Sequence, residues 1–482
     1  MTKLFKPALA LALTLAVLPF PTACAAQFTD TASHWAAEQI EQLCQNGALF
    51  TGYEDGSFRP DASITRGEMA VVLNRIFDYQ ETAENTFSDI SGDDWYADAI
   101  LRLRAAGVLL GDGEFAKPRE GISREEAATL MARAFGFAEA PGLPAFDDAA
   151  QIAPWACGYV SALQRRSIVS GSGGNFRPRD LLTRAEAVTL LHSLITYRDT
   201  QAEAAQRPGE FLYFGEWLPV AQGVAKSPYD NTLFHYGSDG RMRYGDGSVP
   251  YWIGVDVSSW QGEIDWNAVA ADGIDFAMLR LGYRGYSVGN LNTDAYFEAN
   301  LQGAAAAGLD VGVYYFSQAI TAEEAREEAQ YLLAQLNGTQ LTYPVVFDWE
   351  LVSDKRGRAN RLDTDTLVAC ANAFCDEIRT AGYTPMIYFN LYTAYERYDL
   401  SRLDCQDFWS AEYRQTPLFH YEAKMWQYTD SGRVKGIDGG VDMNISFVDY
   451  GAQMQDPSIE DTHSDIPPST EDAEVFPVDI IY

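Results

Sequence analysis

Tyr343-Pro344-Val345-Val346-Phe347-Asp348-Trp349-Glu350 is a short apolar run that opens after a proline and ends in two acids. Its β-branched and aromatic composition predicts a buried strand. Side chains alternate along a strand, so Asp348 and Glu350 point the same way. Their Cα atoms would lie roughly 6.6 Å apart, two strand steps. Two acids held this close repel, and one pKa rises. Such a pair supplies one protonated and one ionised carboxyl at neutral pH, which is what cleavage of a glycosidic bond requires. The other reading is two solvated acids at a strand end.

Working outward, a series of short apolar strands surrounds this one. They are Trp252–Val257, Phe276–Gly282, Val311–Ser317, Pro385–Asn390, Phe408–Tyr413, Lys424–Tyr428 and Val441–Ile445. The first strands are separated by helix-like stretches such as Thr293–Ala307 and Ala322–Leu336. That alternation predicts parallel βα units. The connections after Tyr413 and Tyr428 barely reach, or miss, the dozen residues of a parallel crossover. The expected fold is an α/β barrel over 251–450, irregular and TIM-like, with about five βα units followed by three strands. Reacting groups in such a barrel gather at the C-terminal ends of the strands. Asp256, Asp348, Glu350 and Asp442 would then reach one mouth from three strands. Tyr314, Tyr388 and Trp426 either line the same groove, where sugars stack on such rings, or pack in the core.

The segments Gly254–Gly262, Phe276–Gly285, Gly312–Ser317, Pro344–Glu350, Met425–Thr429 and Val441–Asn444 together resemble glycoside hydrolase family 25. The resemblance implies an N-acetylmuramidase that cuts the β-1,4 bond after N-acetylmuramic acid in peptidoglycan glycan strands. The family's four acids map onto Asp256, Asp348, Glu350 and Asp442. Glu350 is expected to be the general acid, with a raised pKa, and Asp348 to stay ionised opposite the growing positive charge. Asp256 and Asp442 would tune both and hold hydroxyls. The attacking group is either the substrate's own 2-acetamido group, oriented by Asp348, or a water on the opposite face. No cofactor is expected. The five histidines form no ligand pair, and an Asp-x-Glu alone is weak ground for a metal.

The N-terminal region repeats itself over 28–80, 87–138 and 146–197. Phe28-Thr29-Asp30, Phe87-Ser88-Asp89 and Phe146-Asp147-Asp148 open the units, and Trp35, Trp95 and Trp155 follow. The second helix of each unit begins Thr65-Arg66-Gly67-Glu68, Ser123-Arg124-Glu125-Glu126 or Thr183-Arg184-Ala185-Glu186. Each is a capping box, which accounts for the hydroxyl and the glutamate. Arg66, Arg124 and Arg184 sit where the helix dipole disfavours a cation, so each needs a partner. The partner is either a nearby acid or an anionic ligand gathered at free helix N–H groups.

The triple pattern resembles S-layer homology repeats. That implies a helical pseudo-trimer, with grooves between units that bind secondary cell-wall polysaccharide without a covalent bond. By motif, Trp35, Arg66, Trp95, Arg124, Trp155 and Arg184 would be the contacts. The tryptophans read equally as core residues. Unit two departs, with a serine cap and a shorter turn after Gly107.

The 482 residues thus predict a multidomain chain, with a helical S-layer-homology pseudo-trimer ahead of the barrel. The net charge of -33 excludes nucleic acid as a natural partner. Lys3, Lys6, the apolar run Ala8–Phe20 and Ala23-Cys24-Ala25 predict a signal peptide over 1–25, hence export; the resemblance to S-layer homology repeats then implies non-covalent attachment to the outer wall surface. No later run predicts a membrane span. The remaining cysteines Cys44, Cys157, Cys370, Cys375 and Cys405 are expected to be buried thiols. Residues 198–250 are expected to be a linker with a hairpin around Asp239-Gly240, and 451–482 an acidic, disordered tail. A wall-binding surface protein without turnover is the competing reading; the intact acid set favours the enzyme.

Overall fold

The computed structural model describes residues 28–45, 49–237, 239–245, 249–354 and 356–455. The expected signal peptide and all but the first residues of the expected tail lie outside them.

The N-terminal region holds three helix pairs. By unit they are α1 (Ala37–Gln45) and α2 (Arg66–Phe77), α3 (Ala97–Ala105) and α4 (Arg124–Ala134), and α5 (Pro154–Arg165) and α6 (Arg184–Ala204), and they pack across units, α2 on α3, α4 on α5 and α6 on α1. The capping boxes form at Thr65, Ser123 and Thr183, each with its glutamate three residues on. The Phe-x-Asp motif has a clear physical cause. Asp30 accepts from the backbone N–H groups of Phe58 and Arg59, Asp89 from Ala116 and Lys117, and Asp148 from Phe176 and Arg177. Arg59, Lys117 and Arg177 have φ of 59°, 54° and 57°, a left-handed conformation that is costly for residues with a Cβ. The aspartate clamps hold these three strained turns.

The units bond to one another in a cycle. Ile122 donates its N–H to the Ile64 carbonyl at 3.0 Å, Leu182 to Ile122 at 2.9 Å, and Ile64 to Leu182 at 3.0 Å. The first N–H groups of α2 donate to Glu120 and Pro118, those of α4 to Asp180 and Pro178, and those of α6 to Ala62 and Pro60. The helix N–H groups expected to be free for an anion are therefore spent on the neighbouring unit. One buried cluster, including Ile64, Met69, Ile122, Met131, Val188 and Leu191, is shared by the three units.

Residues 198–250 are not a linker, which corrects the expectation. Helix α6 runs through the predicted boundary at 197 and through most of Thr200–Gln206 before ending at Ala204. Two hairpins follow, β1 (Glu210–Tyr213) with β2 (Glu216–Pro219) and β3 (Phe234–Tyr236) with β4 (Met242–Tyr244). The second is the one expected around Asp239-Gly240. Both pack on the barrel. Phe211 stacks on His420 with centroids 4.5 Å apart, Tyr229 stacks on Phe447 at 4.0 Å, and Phe234 meets Trp426 edge-on at 5.1 Å. Phe211, Tyr229 and Phe234 belong to the same buried cluster as the barrel's outer face. The sequence pattern shows weak periodicity here because these residues cover another element rather than build a core of their own.

The barrel strands are β5 (Trp252–Val257), β6 (Phe276–Arg284), β8 (Asp310–Ser317), β9 (Val345–Trp349), β10 (Pro385–Asn390), β11 (Phe408–Ala411), β12 (Met425–Gly432) and β13 (Val441–Ser446). They pair in that order and close through β13 and β5 into eight strands, with the short β7 (Leu291–Thr293) added antiparallel to the end of β6. Neighbours from β5 to β12 are parallel, and α7 (Trp266–Ala271), α8 (Phe297–Ala306), α9 (Ala322–Leu336), α10 (Thr364–Thr380) and α11 (Leu391–Glu396) lie on the first five crossovers. Strand β13 is antiparallel to both of its neighbours, because residues 433–440 are too few for a crossover.

The expected disorder from 451 starts too early, since α12 (Tyr450–Gln455) continues past it. Four of the five cysteines are buried; Cys157 is half-buried, which corrects that expectation, and all five are free thiols. No helix among the described residues is long and apolar enough to cross a membrane.

Candidate active site

The rim formed by the C-terminal ends of the parallel strands collects the four acids. Asp256 is the fifth residue of β5, and Asp442 is its direct partner across the β5–β13 pair. The sequence reading placed Asp442 on the last strand, in a barrel whose reacting groups gather at C-terminal strand ends. It lies instead at the N-terminal end of β13, and it reaches the same rim because that strand is reversed. Asp348 lies on β9 beside Tyr388 of β10 and Phe316 of β8. Glu350 follows one residue beyond the strand, and the buried Gln318 holds its backbone carbonyl through Nε2 at 3.0 Å. Trp349 between them faces outward, fully buried, with the Arg397 guanidinium 5.2 Å from its ring centre.

Four carboxyls in so dry a place do not all ionise. Burial pushes the Asp348 pKa well above the usual carboxylate range; the charges of Glu350 and Asp256 add to this, and Arg280 offsets part of it. Its Oδ1 is buried and has no hydrogen-bond partner. Burial also raises Glu350, the Tyr388 hydroxyl pulls it back down, and the Asp442 charge raises it again. Asp256 is raised by burial against the opposing hydrogen bonds of Asn444, Gln427 and Asp442. Asp442 is raised to about 8 by burial and by its bond to Asp256, so this pair shares a proton that rests on Asp442. The expected pattern was a raised Glu350 beside an ionised Asp348. In the structure the strongest upward push falls on Asp348.

At the other end of the chain, the tryptophans are not core residues. Trp35, Trp95 and Trp155 are 63%, 65% and 49% exposed, at the starts of α1, α3 and α5. The arginines resolve the other way. Arg66 reaches Glu126 at 2.7 Å, Arg124 reaches Glu186 at 2.6 Å, and Arg184 reaches Glu68 at 3.4 Å. Each Nε also donates to a carbonyl of the next unit, on Ala116, Phe176 and Phe58. The partner is thus an acid, and it is the capping-box glutamate of the neighbouring unit. Each glutamate therefore does more than cap its own helix.

Residues 255–437 match the family model described as Glycosyl hydrolases family 25. The barrel is a family 25 glycosyl hydrolase domain. Residues 27–70, 86–128 and 145–188 match the S-layer homology domain model, so three such repeats precede the hydrolase. Among curated proteins, the chain is 32% identical over 175 residues to the exoglucanase XynX of Acetivibrio thermocellus, covering 35% of this chain and 16% of that protein. The chain spans less than a fifth of the length of the first curated relatives it matches. Among solved structures, it is similar to the modular autolysin LytC from Streptococcus pneumoniae, with 25% identity, 50% of this chain and 57% of that one covered, and a TM-score of 0.37. It is also similar to a family 25 glycosyl hydrolase from Bacillus anthracis, with 21% identity, 45% and 98% covered, and a TM-score of 0.38.

Within the hydrolase domain, Tyr388 lies at the acid cluster and Tyr314 lies nearby, edge-on to Trp409 with centroids 6.2 Å apart. Trp426 does not line the groove. It faces away from the lumen, donates its indole N–H to the Glu412 carbonyl at 2.9 Å and packs under Phe234. Its neighbour Gln427 points inward and donates to Asp256 Oδ2 at 2.8 Å, as does Asn444. Trp409 donates to Asn444 Oδ1 at 2.9 Å. The sequence reading passed over these three. Period-two alternation would have found Asn444, two residues after Asp442 on the same face. Trp260, on the loop after β5, is 84% exposed, and Tyr413, after β11, is also exposed. Among the described residues, no group of three or more His, Cys, Asp or Glu is placed to hold a metal ion.

Proposed function

We propose that the chain is a wall-anchored peptidoglycan hydrolase that cuts the β-1,4 bond between N-acetylmuramic acid and N-acetylglucosamine. The observation that carries this reading is the convergence of Asp256, Asp348, Glu350 and Asp442 on one rim, with pKa values pushed upward by burial and by one another. Glu350 is the general acid. It donates its proton to the leaving oxygen as the bond to the anomeric carbon breaks. The positive charge growing on the ring favours the ionised form of Asp348 against its burial, and Asp348 opposes that charge. Its unpartnered Oδ1 favours the substrate-assisted route: a buried acceptor without a donor is costly, and the N–H of a substrate acetamido group would satisfy it. The amide oxygen would then attack the anomeric carbon. Asp256 and Asp442, sharing one proton, hold hydroxyls and set the field around Glu350.

The three S-layer homology repeats would form the pseudo-trimer and keep the hydrolase on the outer wall surface, through secondary polysaccharide stacked on Trp35, Trp95 and Trp155. Arg66, Arg124 and Arg184 shape the seams between units. A signal peptide over 1–25 would export the chain, and tethering would raise the local concentration of the barrel at its substrate. The test is release of new reducing ends from purified peptidoglycan, with wild type and Glu350→Gln side by side. Wild type should release them and the variant should not. An active Glu350→Gln protein refutes the assignment.

A further inference from the structure

The ladder that places Asp348 stops short of Glu350. Trp349 is the last residue of β9 to pair with a neighbouring strand, so the aim of the Glu350 side chain depends on what holds the chain beyond it. On the near side, Gln318 holds the Glu350 carbonyl at 3.0 Å. On the far side stands Asn360. Its Oδ1 accepts the Val352 N–H at 2.9 Å, and its Nδ2 donates to the Val352 carbonyl at 2.7 Å. A backbone N–H only donates and a carbonyl only accepts, so the amide has one orientation. The two bonds imitate a strand partner two residues after the acid. Gly357 makes room for them: a Cβ there would collide with Val352 Cγ2 and Asn360 Nδ2.

Both holds lead back to one stretch, Arg358-Ala359-Asn360. Arg358 donates to the Gln318 carbonyl at 3.3 Å and is itself clamped on Glu324 of α9 by two bonds of 2.8 Å. Its backbone N–H meets the Tyr286 carbonyl, in the turn between β6 and β7, at 2.9 Å. Ala359 is fully buried. Asn360 offers its own carbonyl to Arg397 at 3.4 Å, beside the Leu362 carbonyl at 2.7 Å, and the same guanidinium lies over the Trp349 ring. The stretch is thus tied to the chain on both sides of Glu350. We propose that Asn360 is a positioning residue for Glu350: by bonding both the N–H and the carbonyl of Val352, it fixes the backbone from which the general acid is aimed.

Asn360 serves a general acid only if Glu350 is one, so the kinetic test rests on the muramidase reading. Asn360→Ala removes both bonds. A displacement of about 1 Å at a reacting group costs on the order of 100-fold, so kcat for reducing-end release from glycan strands should fall about 10- to 100-fold, with KM nearly unchanged. A dinitrophenolate leaves without a proton, so on the dinitrophenyl glycoside of the disaccharide ending in N-acetylmuramic acid the fall should be under about threefold. Equal falls on both substrates mean that Asn360 holds the fold rather than the acid, and no fall on glycan strands means that it holds nothing the reaction needs; either result overturns the proposal. If Asn360→Ala does not fold, Asn360→Asp, which keeps an acceptor for the Val352 N–H, is read by the same ratio. If wild type releases no reducing ends, the muramidase reading fails by itself. In that case, or if the aryl glycoside is not a substrate, the hold on Glu350 is read from amide hydrogen exchange in the full chain. Faster exchange at Val352 in Asn360→Ala, with β9 unchanged, supports the hold, and unchanged exchange at Val352 overturns it.

Discussion

Replacing Arg184 with methionine separates the two roles open to the arginines of the repeats. Arg184 is 5% exposed at its side chain and spans the seam between the third unit and the first. It donates to the Phe58 carbonyl at 3.0 Å, to the Thr51 carbonyl at 2.8 Å and to Glu68 at 3.4 Å. Its guanidinium lies 4.6 Å from the Phe58 ring centre. Methionine keeps the apolar stem and removes every donor. Two carbonyls lose about 1 kcal/mol each and the charge-assisted bond about 1.5 kcal/mol or more, so the loss is roughly 3–4 kcal/mol. Glu68 stays capped by the Thr65 N–H at 2.8 Å, which keeps the loss at the lower end expected for a broken buried pair. For a unit of this size that is a fall of roughly 6–16 °C in the melting temperature of the N-terminal region, read by calorimetry on the full chain. Arg66→Met, with two such bonds to lose, should fall by less. If Arg184→Met costs under about 1 kcal/mol and yet abolishes binding to wall polysaccharide, the arginine is a ligand contact and the reasoning fails.

Trp35→Ala, Trp95→Ala and Trp155→Ala should each change stability by no more than about 0.5 kcal/mol while weakening co-sedimentation with purified walls; a large loss of stability would make these rings structural. Phe211→Ala should lower the melting temperature of the barrel, at a cost of about 3 kcal/mol, because the ring is buried against His420 and Tyr395; an unchanged barrel would return 198–250 to the status of a linker. Asp442 has a folded pKa raised to about 8, so the stability it contributes is fully present below about pH 4 and is lost as pH rises through about 8. Asp442→Asn keeps a donor toward Asp256 and removes that titration. Urea midpoints between pH 5 and 9 should fall less steeply than in wild type, and parallel slopes would count against the shared proton.

Much of the barrel was legible in the sequence because strands announce themselves locally. Trp252–Val257 and Pro385–Asn390 appear with the bounds expected of them. The short connection before Val441 carried its own warning, and a reversed strand is what a short connection produces. Trp426 was misjudged because a large aromatic beside a site attracts attention, whereas the face is decided by parity with Gln427. The hairpins of 210–244 were obscure because their apolar residues pack on Tyr395, His420 and Phe447, far away in the chain. The arginine partners were invisible for the same reason. Arg66 and Glu126 are 60 positions apart, Arg184 and Glu68 are 116 apart, and no local pattern encodes such a meeting.

The cyclic bonding of the three units also sets an order of assembly. As the chain leaves the ribosome, Ile64 and Glu68 appear long before Leu182 and Arg184, the groups they must meet. The first unit spends that interval with a capped helix and an open seam, and the second cannot close the seam for it. Closure waits for the last third of the region, so a chain interrupted after two units carries unfinished surface rather than two-thirds of an anchor.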